Sequence, residues 1–178
     1  YMRLSIRSLL LCALFAALMG VCSQLSIPLP MVPINLALFA ALLGGALLGP
    51  KLGAAAIGVY VLVGLLGVPV FASFGAGPGT LFGKTGGYII GYVLAAFLTG
   101  LLTIRRKNYG WTCLAMVAGT LACYLFGTAW FMQVTGMGLW LSLTYCVLPF
   151  LPGDGLKILA AAWLSGRLRP HVEEMLTR

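Results

Sequence analysis

Apolar positions in this chain gather into tracts of about 20 residues, the length that crosses a hydrocarbon layer of roughly 30 Å as an α-helix. A helix is the form such a tract must take, because every backbone amide in hydrocarbon has to be paired internally. Six tracts read as spans: Leu4 to Ser26, Asn35 to Leu48, Leu52 to Leu66, Gly86 to Ile104, Trp111 to Val134, and Pro152 to Leu168. The second and third are short, which predicts tilt or burial. Between the fifth and sixth lies Gly138 to Phe150, largely apolar and closed by Pro149 and Pro152, whose length suits an interfacial or re-entrant segment. The pattern predicts an all-α polytopic membrane protein, with residues 1–178 forming a single integral membrane domain.

Composition supports this class. The chain is 61% hydrophobic and 8% charged, with a mean hydropathy of +1.06, against about 25% charged residues in soluble domains. A net charge of +8 does not point to nucleic acid, because its eleven Lys and Arg are scattered between apolar tracts instead of clustered in a stripe. They follow topology. Placed on six spans, Arg3, Arg7, Lys51, Arg105, Arg106, Lys107, Arg167, Arg169 and Arg178 fall on one side and Lys84 alone on the other. The positive-inside rule then sets both termini in the cytoplasm. Trp111, Trp130, Trp140 and Trp163 fall near span ends, as interfacial anchors do. Arg3 and Arg7 before Leu9 to Met19 have the form of a secretory signal, but five further spans favour a first transmembrane helix.

Asp154 is the only acidic residue in the first 172 positions, and it stands three residues before Lys157 inside an apolar tract. Ionisable groups in hydrocarbon cost about 2.5–3.5 kcal/mol on insertion scales and usually mark a ligand, ion or proton site. The charge topology places the pair near the outer end of the last span. A purely structural ion pair is the other reading, since residues three apart share a helix face and a carboxylate in the first turn meets the positive end of the helix dipole. The outer segment from Val68 to Thr85 is 18 residues long and contains Gly75, Gly77, Gly79 and Gly83. That exceeds an ordinary connection and reads as a glycine-rich lid. Phe71 and Phe74 offer apolar area there, while Ser73, Lys84 and Thr85 offer donors.

Other motifs exclude chemistry. Cys12, Cys22, Cys113, Cys123 and Cys146 form no Cys-x-x-Cys and no metal-ligand spacing, which disfavours a membrane thiol oxidoreductase. His171 lies in a tail with Glu173 and Glu174, and no metal site or catalytic residue is expected. The stretch Pro78 to Thr85 nearly matches a phosphate-binding Gly-x4-Gly-Lys-Thr loop, yet proline occupies its first glycine position and Lys84 falls outside the cell. Ala13 and Ala17 form a small-xxx-small pair, as do Gly45/Gly49 and Gly87/Gly91, spacings that let helices approach closely.

Pro33-Ile-Asn-Leu, Leu48-Gly-Pro-Lys-Leu-Gly53, Tyr60, Gly67-Val-Pro-Val-Phe-Ala72, Thr85-Gly-Gly-Tyr-Ile-Ile-Gly91 and Leu151-Pro-Gly-Asp-Gly-Leu-Lys157 together resemble BioY, the biotin-binding S components of energy-coupling factor (ECF) transporters. The resemblance runs over nearly the whole chain. It implies the six-helix S-component fold in a prokaryotic cell membrane and high-affinity capture of biotin from outside. It also implies assembly with a transmembrane T component and two cytoplasmic ATPases that carry the ATP hydrolysis, so that this chain needs no cofactor and is no enzyme. By resemblance the substrate site comprises Asp154, Lys157, Gly86, Gly87, Tyr88 and the loop around Phe71 to Ser73, with Lys84 and Thr85 beside it. Ala13 and Ala17 resemble the T-component contact. Many members carry proline where Lys84 stands and a Thr-x-Gln pattern near Asn35 to Ala37. An S component for another vitamin, such as thiamine or riboflavin, is the nearest alternative.

Overall fold

The structure is a computed structural model that describes residues 5–27 and 32–177; Arg3, Leu4 and Arg178, which enter the span and charge pattern, lie outside the described residues. Seven helices account for most of it: α1 Ile6–Gln24, α2 Ala37–Leu65, α3 Gly77–Leu81, α4 Gly86–Thr103, α5 Tyr109–Thr135, α6 Leu139–Cys146 and α7 Leu151–Thr177. The departure from an all-α chain is a two-residue ribbon in which β1 (Ser26–Ile27) pairs antiparallel with β2 (Ile34–Asn35), closing the connection between α1 and α2. By length and composition α1, α2, α4 and α5 are each apolar enough to cross a membrane, and α6 with α7 forms a fifth candidate bent by 52°.

Helix α2 is a hairpin. Gly49 has φ 78° and ψ −179°, outside any helix, and Pro50 follows with no N–H to give. Gly45 and Gly53 are eight residues apart, about 12 Å along a continuous helix. A Cβ added to Gly53 would instead fall 2.9 Å from the Gly45 Cα, so the segments 37–48 and 50–65 fold back on each other. These are the second and third tracts of the hydropathy pattern. A helical Pro50 would have left the Ala46 carbonyl without its donor. Arg169 of α7 supplies one through Nη2 at 3.2 Å, and its Nη1 donates to the Lys107 carbonyl at 3.3 Å. One buried guanidinium thereby ties α7 to the hairpin and to the connection between α4 and α5.

The hairpin is the hub of the packing, flanked by α1, α4 and α7, while α4 also lies along α5. Small residues set the spacing: a Cβ on Gly45 would fall 2.2 Å from the Ala96 carbonyl oxygen, and one on Gly100 2.5 Å from Pro50 N. Gly87 and Gly91 face α5 in the same way, against Trp130 and Cys123. Gly45, Gly87 and Gly91 are thus internal contacts, whereas Gly49 has open space at its Cβ position and serves the turn. Leu42, Phe131, Met116 and Ala161 meet in the core, whereas Leu10, Leu14, Leu125, Leu156 and Trp163 point outward, the apolar exterior of a chain solvated by lipid. The buried hydroxyls of Thr103, Thr112 and Thr120 donate to carbonyls four residues back at 2.9–3.0 Å. Among the described residues no buried side-chain nitrogen or oxygen lacks a partner.

Gly45→Val places methyl groups into the Ala96 backbone and is expected to lower stability by about 3 kcal/mol or more, the upper range for overpacking. Gly58→Ala meets no atom within 4 Å and is expected to be neutral or slightly stabilising. Thermal unfolding of the purified protein in detergent, comparing the two variants, checks the hairpin contact.

Candidate ligand site

Site geometry begins at the break between α6 and α7. Pro149 and Pro152 interrupt the helix, and the chain restarts with Asp154 in the first turn of α7, its backbone N–H donating to the Phe150 carbonyl at 2.8 Å. Lys157 follows one turn on, its Nζ 2.7 Å from Asp154 Oδ1, and both side chains are buried. The second carboxylate oxygen accepts the hydroxyl of Tyr124 from α5. The predicted ion pair is therefore present, with a phenol as third member.

Asp154 and Lys157 stand in the first two turns of α7, at the start of the last span. Across from them on α5 is Tyr124, eleven residues short of Thr135, where that helix ends, about 16 Å along the axis. The pair that begins one helix therefore meets the middle of another.

Asp154, Lys157, Tyr124, Cys123, Cys146 and Leu38 line a chamber of about 20 Å³. A larger cavity of about 220 Å³ lies beside it, walled by Tyr60, Phe71, Ser73, Thr80, Lys84 and Thr85. The two share Val32, Asn35, Tyr88 and Tyr92 as a partition. Asn35 Oδ1 accepts the Ala37 N–H at 3.0 Å and the Tyr92 hydroxyl at 3.5 Å, and the Tyr88 hydroxyl lies 2.9 Å from Thr128 Oγ1. The partition is thus made of side chains already fixed to α2 and α5.

The predicted lid is a folded element. Residues 68–85 contain a 3₁₀ turn at Ala72–Phe74 and the short helix α3. Phe71 is fully buried, packed edge-on against Tyr60 at 5.5 Å between centroids and lying over Gly64. Ser73 and Phe74 have φ of 56° and 58°, a left-handed conformation that costs a non-glycine residue about 1–2 kcal/mol. The Trp130 indole N–H donates to the Gly83 carbonyl at 3.1 Å. Trp130 therefore supports the base of the lid, beyond the anchoring role its span-end position suggests. Trp140, 84% exposed, is free to act as an anchor.

The predicted residues divide by location. Phe71, Ser73, Lys84, Thr85 and Tyr88 line the larger cavity, and Asp154 and Lys157 line the chamber, with Tyr88 reaching both. Gly86 and Gly87 line neither. A Cβ on Gly86 would fall 1.6 Å from the Leu81 carbonyl oxygen and one on Gly87 2.2 Å from Trp130 Cβ, so they let α3 and α5 close around the site. Phe74 is 75% exposed and turns away from the cavity. Sequence reasoning missed Tyr124, Tyr92 and Ser23, whose hydroxyl lies 2.9 Å from that of Tyr60; a single tyrosine or serine in an apolar run carries no signal of its own. Ala13 and Ala17 line neither cavity; they are exposed on α1, in a separate apolar groove of about 460 Å³ with Gly20, Val59, Val63 and Val70. No group of three His, Cys, Asp or Glu side chains is placed to hold a metal among the described residues.

An aromatic cavity with few placed polar groups, a cation at its rim and a neutralised acid–base pair behind it suits a small ligand with an apolar body, N–H donors and an anionic end. Fold and site together define a substrate-binding membrane protein of the transporter type. The family profile described as "BioY family" matches residues 2–174. The chain is 36% identical over 163 residues to "Biotin transporter BioY" of Thermotoga maritima, covering 92% of this chain and 96% of that one. It is 38% identical over 159 residues to "Probable biotin transporter BioY" of Pyrococcus horikoshii, covering 89% and 94%. A crystal structure described as the S-component for biotin from an ECF-type ABC transporter superposes with a TM-score of 0.85 at 28% identity, covering 93% of this chain and 92% of that one. The chain belongs to the BioY family.

Removing one member of a buried ion pair leaves the other uncompensated, at about 3–5 kcal/mol. Asp154→Ala is expected to lower the melting temperature by roughly 10 °C, at about 2–4 °C per kcal/mol for a chain of this size. Asp154→Ala/Lys157→Met is expected to recover most of the loss. Equal melting of the single and double variants would mean that the Lys157 charge is not what the carboxylate holds in place.

Proposed function

We propose that this chain is the biotin-capturing S component of an ECF-type transporter, a transport subunit and not an enzyme. The observation that carries the reading is the aromatic cavity backed by Asp154 and Lys157, in a chain of the BioY family. Biotin has an apolar bicycle, a ureido group with two N–H donors, and a carboxylate tail. The bicycle suits the space between Phe71, Tyr60 and Tyr88, with the ureido group toward the partition and Asp154. Lys157 is already matched by Asp154 at 2.7 Å. Lys84 stands at the exposed rim of the larger cavity, where a tail reaching toward water would meet it. Charge-assisted hydrogen bonds at both ends are stronger than neutral ones.

The same reading gives six membrane-spanning segments, with the two arms of the α2 hairpin counted separately and both termini in the cytoplasm of a prokaryotic cell. It is supported by the fold-back at Gly49 and by the positive residues at the Lys51, Lys107 and Arg169 end. The exposed Ala13 and Ala17 groove is the docking surface for the T component, which would bring two cytoplasmic ATPases. Small side chains let a partner helix approach closely.

Direct binding of biotin, thiamine and riboflavin to the purified protein tests the substrate. Biotin alone is expected to bind, and Asp154→Asn or Lys157→Ala to weaken it at least about tenfold, equivalent to about 1.4 kcal/mol. Lys84→Ala is expected to weaken biotin but leave unchanged the binding of a biotin amide, whose tail is uncharged. Unaltered biotin affinity in folded Asp154 and Lys157 variants would remove them from the site. For the groove, Ala13→Leu/Ala17→Leu is expected to abolish uptake by cells while sparing biotin binding. Normal uptake by that variant would place the T component elsewhere.

A further inference from the structure

Gln24, the last residue of α1, spends its side-chain amide on the lid. Its Nε2 donates to the carbonyls of Pro69 and Phe71, both at 2.9 Å, and its Oε1 accepts the backbone N–H of Phe74 at 3.1 Å. Between those points the lid backbone is knotted: the Phe71 N–H donates to the Gly75 carbonyl at 3.0 Å, and the Gly75 N–H to the Ala72 carbonyl at 3.1 Å. Ser73 and Phe74, the two non-glycine residues at positive φ among those described, lie inside this knot. Backbone in that conformation persists only where its surroundings hold it, and Gln24 is the side chain that holds it from outside the lid.

The hold is local and reversible. Phe71 is sunk in the core against Tyr60, which makes it a pivot, whereas Gln24 is only half-buried and its hydrogen bonds can be exchanged for water. Gln24 is not part of the cavity wall. It lines the edge of the Ala13 and Ala17 groove, beside Pro69 and Val70 of the lid. A single side chain thus lies at the seam between the surface of α1 and the cover of the cavity.

We propose that Gln24 is the latch of the lid: its three hydrogen bonds hold the strained turn at 71–75 down over the cavity, and their breaking sets how fast ligand enters and leaves. This rests on the reading of the cavity as the biotin site. Gln24 is a positioning residue, acting on the lid and not on the ligand, so loss of the latch changes both rates in the same direction.

Stopped-flow binding of biotin to the full chain in detergent, together with hydrogen–deuterium exchange of residues 68–82 without biotin, tests the latch. Gln24→Ala is expected to raise the association and dissociation rates each by about tenfold, with Kd changed less than about threefold, and to speed exchange of the Phe74 amide by a similar factor. Gln24→Glu, of the same shape, keeps an acceptor for Phe74 but sets a carboxylate oxygen against the two carbonyls in place of a donor; it is expected to loosen the lid at least as much as alanine, and it serves if the alanine variant does not fold. Unchanged rates with unchanged exchange would overturn the proposal. So would a rise in Kd with an unchanged association rate, which would make Gln24 a ligand contact. If the wild-type chain binds no biotin, the functional reading fails, and the exchange measurement alone still decides whether Gln24 holds the lid.

Discussion

The buried pairing of Asp154 with Lys157 is the constraint around which the ligand site is organised. Neither charge is tolerable alone at that depth, and together they are tolerable only with their hydrogen-bonding capacity filled. The first turn of α7 supplies a helix N-terminus for the carboxylate, Lys157 neutralises one oxygen, and Tyr124 of α5 donates to the other. The helix must therefore begin at the break set by Pro149 and Pro152, and α5 must present Tyr124 at that level. A shift of α7 by one residue would rotate it by about 100° and part the carboxylate from Tyr124. The pair thus fixes the register of α7 against α5 as well as the chemistry of the chamber.

A second solution to the same problem, polar groups in hydrocarbon, lies at the opposite end of the molecule. Reversing α2 within the membrane boundary requires Gly49 and Pro50, and the reversal exposes carbonyls that a continuous helix would pair. Arg169 fills that role at Ala46, and Lys107 forms an ion pair with Glu173 at 2.5 Å nearby. Arg169 contributes to the positive side of the topology and is also a structural donor, so counting it only as a topological charge understates it. The ligand end can then close over a cavity because the opposite end is bound together by helix α7.

How much of this is legible in the sequence depends on whether a feature repeats. The apolar tracts are long, so the spans, the reversal between 48 and 52 and the separate nature of the segment at 138–150 follow from hydropathy and from Gly and Pro. A lone acid in a tract announces itself, and a glycine-rich segment of 18 residues announces a lid. Residues whose role comes from a single tertiary contact do not. Tyr124 looks like a core aromatic until α7 is set beside it, Gln24 like the end of a span, and Trp130 like an anchor. Gly86 and Gly87 show the converse: the motif is visible, but whether its glycines touch ligand or neighbouring backbone depends on where α3 and α5 lie. Relative level is the quantity the sequence hides most completely, since Asp154 begins α7 along the chain and yet meets α5 at Tyr124, near the middle of that helix.

On the reading proposed above, charge balance gives the two lysines and the one acid different tasks. The Asp154 and Lys157 pair sums to zero and can stay buried whether or not ligand is present. Lys84, at the rim, keeps its charge near water. On the same reading, a ligand with a neutral hydrogen-bonding head and an anionic tail brings its negative charge beside Lys84 and none to the deep pair. Desolvating a carboxylate that meets a cation costs far less than desolvating one alone, so on that reading closure of the lid is favoured most when the ionised tail meets Lys84. The deep pair would then orient the head without demanding charge from it and the rim lysine would meet the tail, so that one cavity discriminates at both ends.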